Sequence, residues 1–501
     1  MLYLTPMAAT PKDAAAIILL KDPSDPKVFW VKRSPKLAFM GGFHTFPGGQ
    51  LDKDDETIKV SGFDGGDEAK MRVCAVREMF EEAGTLVARG AERISPDRLA
   101  ALRLEMEAGT RTFKQIVDET EVEIDSESLP AAGRWVTPPF APRRFDTWFF
   151  LAWLPEGQEP TVAPGELEFG EWIRPADALA RWKHGEIVMA PPTLYIISTL
   201  AANSGQVDEL PLALSSIPEA RQGMVRRIEF RAGIFFYPLK TPTLPPATHT
   251  NCYIIGGDEL IVIDPASPYE EEQKELDILI DSLLAEGRTV REIFVTHHHH
   301  DHVAGVDHLR KRLGVPVAAH RLTADRLSNY LKIDRLVEDD EVIDLAGDPG
   351  WRVRILHTPG HTRGHLCFYE ENSGAILTGD LIAGVGTVVI DPPEGNMLQY
   401  YASLRRLLEL PRLTSLLPAH GPAIGSARDK IEEYILHRNM RETRILDALR
   451  AGAGTTSEIV EAAYTDVSPA MYGLAERSTA AHLEKLVEEG LVSRDGEHYR
   501  T

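Results

Sequence analysis

Five histidines and one aspartate occupy the six positions from His297 to His302. They follow the apolar run 293–296, whose β-branched and aromatic residues are typical of a buried strand. Imidazole nitrogens and carboxylate oxygens delivered together to the end of a strand are the ligands of a transition-metal site. The alternative is a solvated histidine-rich loop, and ligand-type residues further along the chain argue against it.

Three later segments also end in a side chain that can bind a metal. His361 lies in a Pro/Gly turn, Asp380 follows the apolar run 375–379, and His420 follows the run 416–419. Strands that each end in such a residue place all of these residues along one edge of a sheet sandwich. The sequence therefore predicts one metal centre built from distant parts of the chain.

This set resembles the metallo-β-lactamase superfamily, whose signature is H-x-H-x-D-H followed by Gly-His, Gly-Asp and a late His. The resemblance covers about residues 228–430 and implies an αββα sandwich with two Zn²⁺ ions. It also implies that Asp301 is catalytic, because it positions the attacking hydroxide. Carried over by position, it gives His297, His299 and His361 to one zinc and Asp301, His302 and His420 to the other, with Asp380 bridging.

Two residues near these candidate ligands are predicted to support the site without binding metal. Asp264 follows a predicted hairpin, 251–263, and is expected to hold the ligand histidines in place. His365 follows His361 by four residues in Gly-His-Thr-Arg-Gly-His and is predicted to contact substrate.

The first third of the chain carries a second candidate site. Two strands, 14–20 and 28–32, precede Phe46-Pro47-Gly48-Gly49, and a helix is predicted over 68–84. Glu78, Glu81 and Glu82 share one face of that helix, because residues three and four apart are neighbours. Their repulsion favours a shared hard cation such as Mg²⁺, although a solvated acidic face is the simpler alternative.

With the Gly-Gly loop, the pattern R-E-x-x-E-E-x-G resembles a Nudix box and implies an α/β/α Nudix fold over residues 10–205. The resemblance implies that Glu78, Glu81 and Glu82 bind Mg²⁺ or Mn²⁺, that Glu81 and Glu82 are catalytic, and that Arg77 orients the loop. The box is split, since 27 residues, 50–76, separate Gly49 from Arg77. Asp52, Asp54 or Asp55 is expected to replace the usual upstream glutamate.

Split boxes occur in the branch that includes coenzyme A diphosphatases. Arg33-Ser34 and Gly42 match part of a coenzyme A signature, but Ala38 stands where its second arginine belongs. Downstream, Arg143 and Arg144 are predicted either to meet a diphosphate substrate or to pair with acidic side chains at the surface.

Composition narrows the class of protein. The 501 residues predict several domains, and 54 Lys+Arg against 76 Asp+Glu give a net charge of −22. Such a chain lacks the basic character of a nucleic-acid binder, so no duplex DNA readout is expected. Three separated cysteines and the absence of a membrane-spanning run predict a cytoplasmic protein with no membrane partner. The sequence contains no signal for an oligomeric state.

The C-terminal part contains a basic stripe in this acidic chain. A linker is predicted over 206–227, and residues 431–501 are predicted to form a helix plus a winged-helix domain. His437, Arg438, Arg441 and Arg444 share one side of the helix 427–450. This combination resembles the β-lactamase-like-protein-2 subgroup, which includes endoribonucleases that act on single-stranded RNA.

Three hypotheses follow. The first is a two-module hydrolase whose zinc domain cleaves RNA behind an N-terminal Nudix diphosphatase, and the basic stripe favours it. The second gives the zinc domain a small-molecule substrate, a thioester of the acyl-coenzyme A or glutathione type, as the Arg33-Ser34 match suggests. The third makes the altered Nudix unit a nucleotide-sensing module.

Overall fold

The computed structural model describes residues 9–37, 40–63, 65–141, 143–163, 165–203, 205–215, 217–223, 225 and 227–501. These residues form two compact units, which divide between Ala232 and Gly233. Ala38, the departure from the coenzyme A signature, lies outside the described residues.

The first unit is built around a mixed sheet. The strands of the first unit are β1 Lys12–Lys21, β2 Lys27–Arg33, β3 His44–Thr45, β4 Gly48–Gln50, β5 Val60–Ser61, β6 Ile124–Asp125, β7 Ala131–Val136, β8 Phe145–Trp153, β9 Leu167–Ile173 and β10 Ile228–Arg231. Of these, β5, β6 and β10 are not part of the mixed sheet. The main order is β3-β2-β1-β8-β7, with β4 added beside β1 and β9 beside β2. Strands β1 and β8 run parallel, and the pairs β5 and β6 form a small separate sheet.

Helices cover both faces of this sheet. They are α1 Asp67–Ala83, α2 Pro96–Glu107, α3 Phe113–Thr120, α4 Pro175–Lys183, α5 Pro191–Ala202, α6 Leu210–Leu214 and α7 Pro218–Arg221. Successive side chains of a strand point to opposite faces. Odd-numbered residues of β1, Ala15–Leu19, therefore pack with α1, while even-numbered residues, Ala16–Leu20, pack with α4 and α5. This arrangement confirms the predicted α/β/α layers.

The second unit contains two sheets. Its strands are β11 Ile234–Lys240, β12 His249–Gly256, β13 Glu259–Ile263, β14 Thr289–Phe294, β15 Val317–His320, β16 Arg335–Val337, β17 Val342–Leu345, β18 Trp351–His357, β19 Leu366–Glu370, β20 Ala375–Gly379 and β21 Ser415–Pro418. Strands β11 to β16 follow one another in one sheet, and β17 to β21 follow one another in the other.

The helices of the second unit lie outside the two sheets. They are α8 Glu270–Ala285, α9 His300–Val303, α10 Val306–Leu313, α11 Arg321–Leu327 and α12 Met397–Leu408. Helices α8 and α10 pack on the first sheet, and α12 packs on the second. Phe294 of β14 meets Phe368 of β19 edge to face, with ring centroids 5.4 Å apart, between the sheets. The predicted αββα sandwich is confirmed.

The C-terminal part is a small helical core with a hairpin. It comprises α13 Ala427–Arg450, α14 Thr456–Ala463, α15 Tyr472–Glu488, β22 Ser493–Asp495 and β23 His498–Arg500. Helix α13 belongs to two cores: Ile431 and Tyr434 pack with the sandwich, whereas Ile445 and Leu449 pack with α14 and α15. The predicted boundary at residue 431 therefore falls inside a continuous helix.

The predicted linker over 206–227 is wrong as a description of the structure. Helices α6 and α7 form there, and Leu210, Leu214 and Ala220 are buried in the core of the first unit. Phe230 also belongs to this unit, because its carbonyl accepts a hydrogen bond from the indole of Trp182 at 2.9 Å. The division between the two compact units falls after Ala232, and the predicted domain start at 228 stays a prediction.

Candidate functional site

The seven predicted zinc ligands lie together in the second unit, in two compact groups. His297, His299, His361 and Asp380 form one group, and Asp301, His302 and His420 form the other. Within each group the possible ligand atoms lie within 4.8 Å of one another. Such a spacing suits a single ion at the middle of each group.

Asp380 connects the two groups. Its Oδ2 lies 3.5 Å from His361 Nε2 and 3.9 Å from His297 Nε2. Its Oδ1 lies 3.3 Å from His420 Nε2 and 3.5 Å from His302 Nε2. One carboxylate oxygen therefore faces each group, which is the arrangement a bridging ligand requires.

The strand ends explain why these residues meet. Loop residues His297 and His299 directly follow β14, and Asp301 and His302 lie on the short helix α9 behind them. Asp380 and His420 follow β20 and β21, which run parallel and therefore end at the same edge of their sheet.

The carboxylate of Asp264 supports the centre, as predicted. Its Oδ1 accepts a hydrogen bond from the Thr296 backbone N–H at 2.8 Å, and its Oδ2 accepts from the Thr296 hydroxyl at 2.6 Å. Oδ2 also lies 2.8 Å from His302 Nδ1. The other ring nitrogen of His302, Nε2, is thereby turned toward Asp380.

Two backbone carbonyls orient other imidazoles, as Asp264 orients His302. His361 Nδ1 donates to the Val389 carbonyl at 2.8 Å, and His420 Nδ1 donates to the His249 carbonyl at 2.9 Å. A carbonyl can only accept, so each ring carries a proton on Nδ1, and in its neutral form it presents a lone pair on Nε2. Sequence reasoning missed Val389 and His249, because a backbone acceptor has no residue-type signature.

The predicted substrate contact of His365 does not agree with its position. The side chain is fully buried, and its Nδ1 lies 2.9 Å from the Thr358 hydroxyl. Its Nε2 accepts a hydrogen bond from the backbone N–H of Asp380 at 3.0 Å. Both ring nitrogens are occupied, so His365 holds the backbone of Asp380 and does not face a ligand.

The charge states differ between the two groups of the centre. Burial lowers the pKa of His299 to about 3 and holds the pKa of His297 well below its ordinary value. Burial by itself would raise the pKa of Asp380, but the neighbouring His420 and His302 hold the pKa of that carboxyl well below its ordinary value. Burial also opposes the protonation of His302 and His420, but the charge of Asp380 raises the pKa of both imidazoles. Since neutral imidazoles and ionised carboxylates are the forms that ligate metals, a metal ion at the second group has to displace protons from His302 and His420.

Two atoms of the centre are buried without a hydrogen-bond partner in the described part of the chain. They are His302 Nε2 and Asp380 Oδ1. A buried polar atom without a partner is costly in free energy. A cation held between the groups would satisfy both atoms, so the residues present fit a pair of metal ions.

The first unit carries the predicted Nudix carboxylates on α1. Arg77 connects them to the chain upstream, since its Nε and Nη2 donate to Asp55 at 2.8 and 3.0 Å and its Nη1 donates to Glu78 at 2.8 Å. Asp55 is almost fully buried and also accepts from the Asp52 backbone N–H. Of the three aspartates considered, Asp55 is therefore the one that pairs with Arg77.

The Gly-Gly loop lies directly against these carboxylates. The backbone N–H of Gly48 donates to Glu82 Oε2 at 2.8 Å, and a Cβ added at Gly49 would lie 2.5 Å from the Glu78 carboxyl carbon. Burial raises the pKa of Glu78 to about 7 and of Glu82 to about 8. Two carboxyls that resist ionisation in this way fit a site completed by a divalent cation.

Glu81 is more open than its neighbours. It is half-exposed and lies 3.4 Å from Arg77 Nη1. In the described part of the chain, only the two histidine–aspartate groups bring three or more ligand atoms within 4.8 Å. The three glutamates share a helix face, as predicted, but they do not form an equally compact cluster.

The two arginines predicted to meet a diphosphate differ in their surroundings. Arg144 donates from Nε to the Thr137 carbonyl at 2.9 Å and from Nη1 to the Ala9 carbonyl at 2.8 Å. It therefore ties two backbone segments together, which argues against the predicted substrate contact. Arg143 is exposed, and the assignment to substrate remains a prediction for this residue.

The basic stripe on α13 is not an exposed surface. Arg438 and Arg441 are buried: Arg438 donates to the Val388 carbonyl, and Arg441 donates to the Ala463 carbonyl and to Asp466. Arg444 also pairs with Asp466, at 3.0 Å. Their pairing partners lie on other segments, so the predicted cationic stripe is absent.

Three known protein families match successive parts of the chain, in the order in which the structure arranges them. The NUDT19 Nudix domain matches residues 61–200, the metallo-beta-lactamase superfamily matches residues 245–420, and the beta-lactamase associated winged helix domain matches residues 455–500. In the described part of the chain, no helix is both long and apolar enough to cross a membrane.

Three curated relatives match the second unit. A Beta-lactamase-like protein 2 homolog from Drosophila melanogaster is 31% identical over 266 residues, which are 50% of this chain and 87% of the relative. The Atrochrysone carboxyl ACP thioesterase AgnL7 from Paecilomyces divaricatus is 30% identical, covering 49% of this chain and 76% of its own. A Hydroxyacylglutathione hydrolase from Pelagibacter ubique (strain HTCC1062) is 36% identical, covering 26% and 52%.

The sandwich and its histidine–aspartate centre define a metal-dependent hydrolase. The chain belongs to the metallo-β-lactamase superfamily, with a Nudix domain ahead of the sandwich and a β-lactamase-associated winged helix after it. It is therefore a two-module hydrolase.

Proposed function

We propose that the second unit is a dinuclear zinc hydrolase of small thioesters and that the first unit is a Mg²⁺- or Mn²⁺-dependent diphosphatase. Seven ligand-type side chains in two groups, joined by Asp380, support a pair of ions. Histidine-rich sites with a few carboxylates suit zinc, and all-carboxylate sites suit magnesium or manganese.

The three arginines of α13 favour a thioester over RNA as the substrate of the second unit, because their side chains already make contacts within the protein. Single-stranded RNA must be held by cations that reach its phosphates. Arg438, Arg441 and Arg444 already contact backbone carbonyls and Asp466, and the chain has a net charge of −22. Relatives named as a thioesterase and a hydroxyacylglutathione hydrolase support the same choice.

Bound zinc supplies Lewis acidity and lowers the pKa of water into the neutral range. The protein then has to orient the reacting groups. Asp301 Oδ2 lies 3.6 Å from His420 Nε2 and is partly open to solvent, so its carboxylate can orient an attacking water and accept its proton. Asp380 fixes the spacing of the two groups, and the buried contacts of Asp264 and His365 hold the surrounding side chains still.

In the first unit, bound Mg²⁺ or Mn²⁺ supplies charge that neutralises a diphosphate. Glu78, Glu81 and Glu82 would hold the ion, while Glu81 and Glu82 take part in catalysis. Arg77 keeps the carboxylates in place through Asp55.

One class of molecule contains both bonds that these units would cleave. A coenzyme A thioester has an acyl–sulfur bond at one end and a diphosphate that joins its pantetheine arm to the nucleotide at the other end. The partial coenzyme A signature at Arg33-Ser34 and Gly42 supports this class for the first unit. The two units would then act successively on one substrate.

A substrate panel tests this proposal. Purified protein reconstituted with zinc and magnesium is given an acyl-coenzyme A, lactoylglutathione, an acyl-pantetheine and single-stranded RNA. Thiol release reports thioester cleavage, and all three cysteines of the protein are buried, which keeps the background low. The expected result is thiol release that His299→Ala abolishes. Cleavage of RNA with every thioester left intact would overturn the proposal.

The same panel separates an active Nudix unit from a sensing module. Mass spectrometry of the coenzyme A products is expected to find cleavage at the diphosphate. Binding of coenzyme A without cleavage, with either Mg²⁺ or Mn²⁺, would instead assign the first unit to nucleotide sensing.

A further inference from the structure

We propose that Arg438, on the helix that leads into the winged helix, is a positioning residue for the metal ligand His361. The connection runs through residues 381–391, here called the bridging segment. This inference rests on the proposed metal centre and adds a role for the C-terminal part of the chain.

The bridging segment follows Asp380 directly and has no helix or strand. Both of its ends are nevertheless buried: Leu381, Ile382 and Ile390 are fully inaccessible, and Gly386 and Thr387 in the middle are exposed. A buried segment without regular structure needs side chains from elsewhere to satisfy its backbone groups. The conformation of the bridging segment therefore depends on what those side chains are.

Helices α12 and α13 supply the side chains that form hydrogen bonds with the backbone of the bridging segment. The Tyr434 hydroxyl accepts from the Ala383 backbone N–H at 3.0 Å and donates to the Ala383 carbonyl at 2.9 Å. The Tyr400 hydroxyl donates to the Leu381 carbonyl at 2.8 Å. Further along, Arg438 Nη2 donates to the Val388 carbonyl at 2.5 Å.

Arg438 is well fixed for this purpose. Its side chain is only 4% exposed, and its guanidinium lies 5.3 Å from the centre of the Tyr400 ring. A charged group buried to this degree is retained where it makes strong hydrogen bonds. The Val388 carbonyl is an acceptor that Arg438 reaches.

The next residue in the segment reaches the metal centre. The Val389 carbonyl accepts the hydrogen bond from His361 Nδ1 at 2.8 Å. This contact sets the ring orientation and directs His361 Nε2 toward Asp380 Oδ2, at 3.5 Å. Because Val388 and Val389 are adjacent, loss of the Arg438 contact frees the carbonyl that orients the ligand.

The experiment compares three variants of the full-length protein. Arg438→Met removes the donor and keeps the length of the side chain, Arg438→Lys restores one donor, and Arg444→Met is the matched control on the same helix. Each variant is stripped of metal, checked for folding by circular dichroism and titrated with zinc against a chelator. The visible spectrum of the cobalt(II)-loaded protein reports the geometry around the ligands.

We expect Arg438→Met to weaken zinc binding about 10- to 100-fold, as losses of ligand-orienting contacts do elsewhere, and to alter the cobalt spectrum. Arg438→Lys is expected to recover part of the zinc affinity and part of the parental cobalt spectrum. Arg444→Met is expected to match the parent protein in both measurements. A folded Arg438→Met with parental zinc affinity and cobalt spectrum would overturn the inference.

A second measurement uses the parent protein and does not depend on how the variants fold. Zinc binding is expected to slow amide hydrogen exchange in residues 381–391. Unchanged exchange there, in protein that has taken up zinc, would also overturn the inference. A parent protein that takes up no transition metal would refute the proposed centre itself, and the role of Arg438 with it.

Discussion

Asp264 and His302, 38 residues apart in sequence, form a buried hydrogen-bonded pair with 2.8 Å between Oδ2 and Nδ1. The same carboxylate also accepts from both donors of Thr296, the residue before the first candidate ligand. One side chain thus holds two ends of the ligand loop.

Replacing Asp264 with Asn is expected to lower the affinity of the Asp301–His302–His420 group for zinc about 10- to 100-fold. The amide keeps the size of the side chain but weakens the hydrogen bonds that orient His302. Zinc titration of the stripped protein measures the effect. Asp277→Asn is the control, because Asp277, on α8, also pairs with a histidine: its Oδ2 lies 3.0 Å from Nε2 of His308 on α10. Equal losses in the two variants would contradict the assignment.

The two units are expected to be chemically independent. Glu81→Gln should lower diphosphatase activity by about 10²–10⁴-fold, the usual effect of removing a catalytic acid or base, and leave thioester hydrolysis unchanged. His299→Ala should remove metal from its group and abolish thioester hydrolysis alone. Parallel assays of both activities measure this, with Glu68→Gln as the control on the same helix. If both activities fall together in a folded variant, the units are coupled.

Asp55 is expected to be a main source of stability for the first unit. Asp55→Ala leaves Arg77 buried without its principal partner, which costs about 3 kcal/mol in the free energy of unfolding. Six of the seven tryptophans precede residue 233, so tryptophan fluorescence during urea denaturation follows this unit. Asp54→Ala, at an exposed neighbouring position, should cost little. Similar midpoints for the two variants would reject the pairing of Asp55 with Arg77.

The C-terminal core should lose stability below about pH 4 through Asp466. Hydrogen bonds from Arg441 lower the pKa of Asp466 to about 2, from an ordinary value of 3.8. A lowered pKa in the folded state means that the contribution is complete above pH 4 and is lost as the pH falls toward 2. Asp466 is about half exposed, so the effect is small after screening by solvent.

Urea denaturation of the parent and of Asp466→Asn at pH 5 and pH 3 checks this prediction. The variant should be less stable than the parent at pH 5, and the difference should narrow at pH 3. Asp447→Asn is the control, because Asp447 is an exposed carboxylate that pairs with its exposed neighbour Arg450. A difference that stays constant between the two pH values would reject the role of Asp466.

The candidate ligands could be predicted because each one ends an apolar strand or a tight turn, and that local pattern determines where it lies. Asp264 was predictable for the same reason, since it ends β13 beside β14. The order of the three folds follows from the resemblance of the motifs to known families, which periodicity alone does not identify.

The predictions that disagree with the structure share one physical cause: the residues concerned are buried by elements that are distant in sequence. The spacing of Arg438, Arg441 and Arg444 indicates a shared helix side, but it does not reveal that the sandwich and α14 cover that side. His365 has the spacing of a site residue, yet Asp380 and Thr358 occupy both of its nitrogens. Residues 206–227 have the composition of a linker, but three apolar side chains among them complete a core.

Helix α13 belongs to two cores, and this affects where the chain can be divided. Domain boundaries usually fall in exposed linkers that few contacts cross. A cut near residue 430 would instead fall inside a continuous helix and remove side chains from both cores. A piece that keeps the sandwich whole must therefore extend through α13, and it then carries the helix on which the winged helix packs.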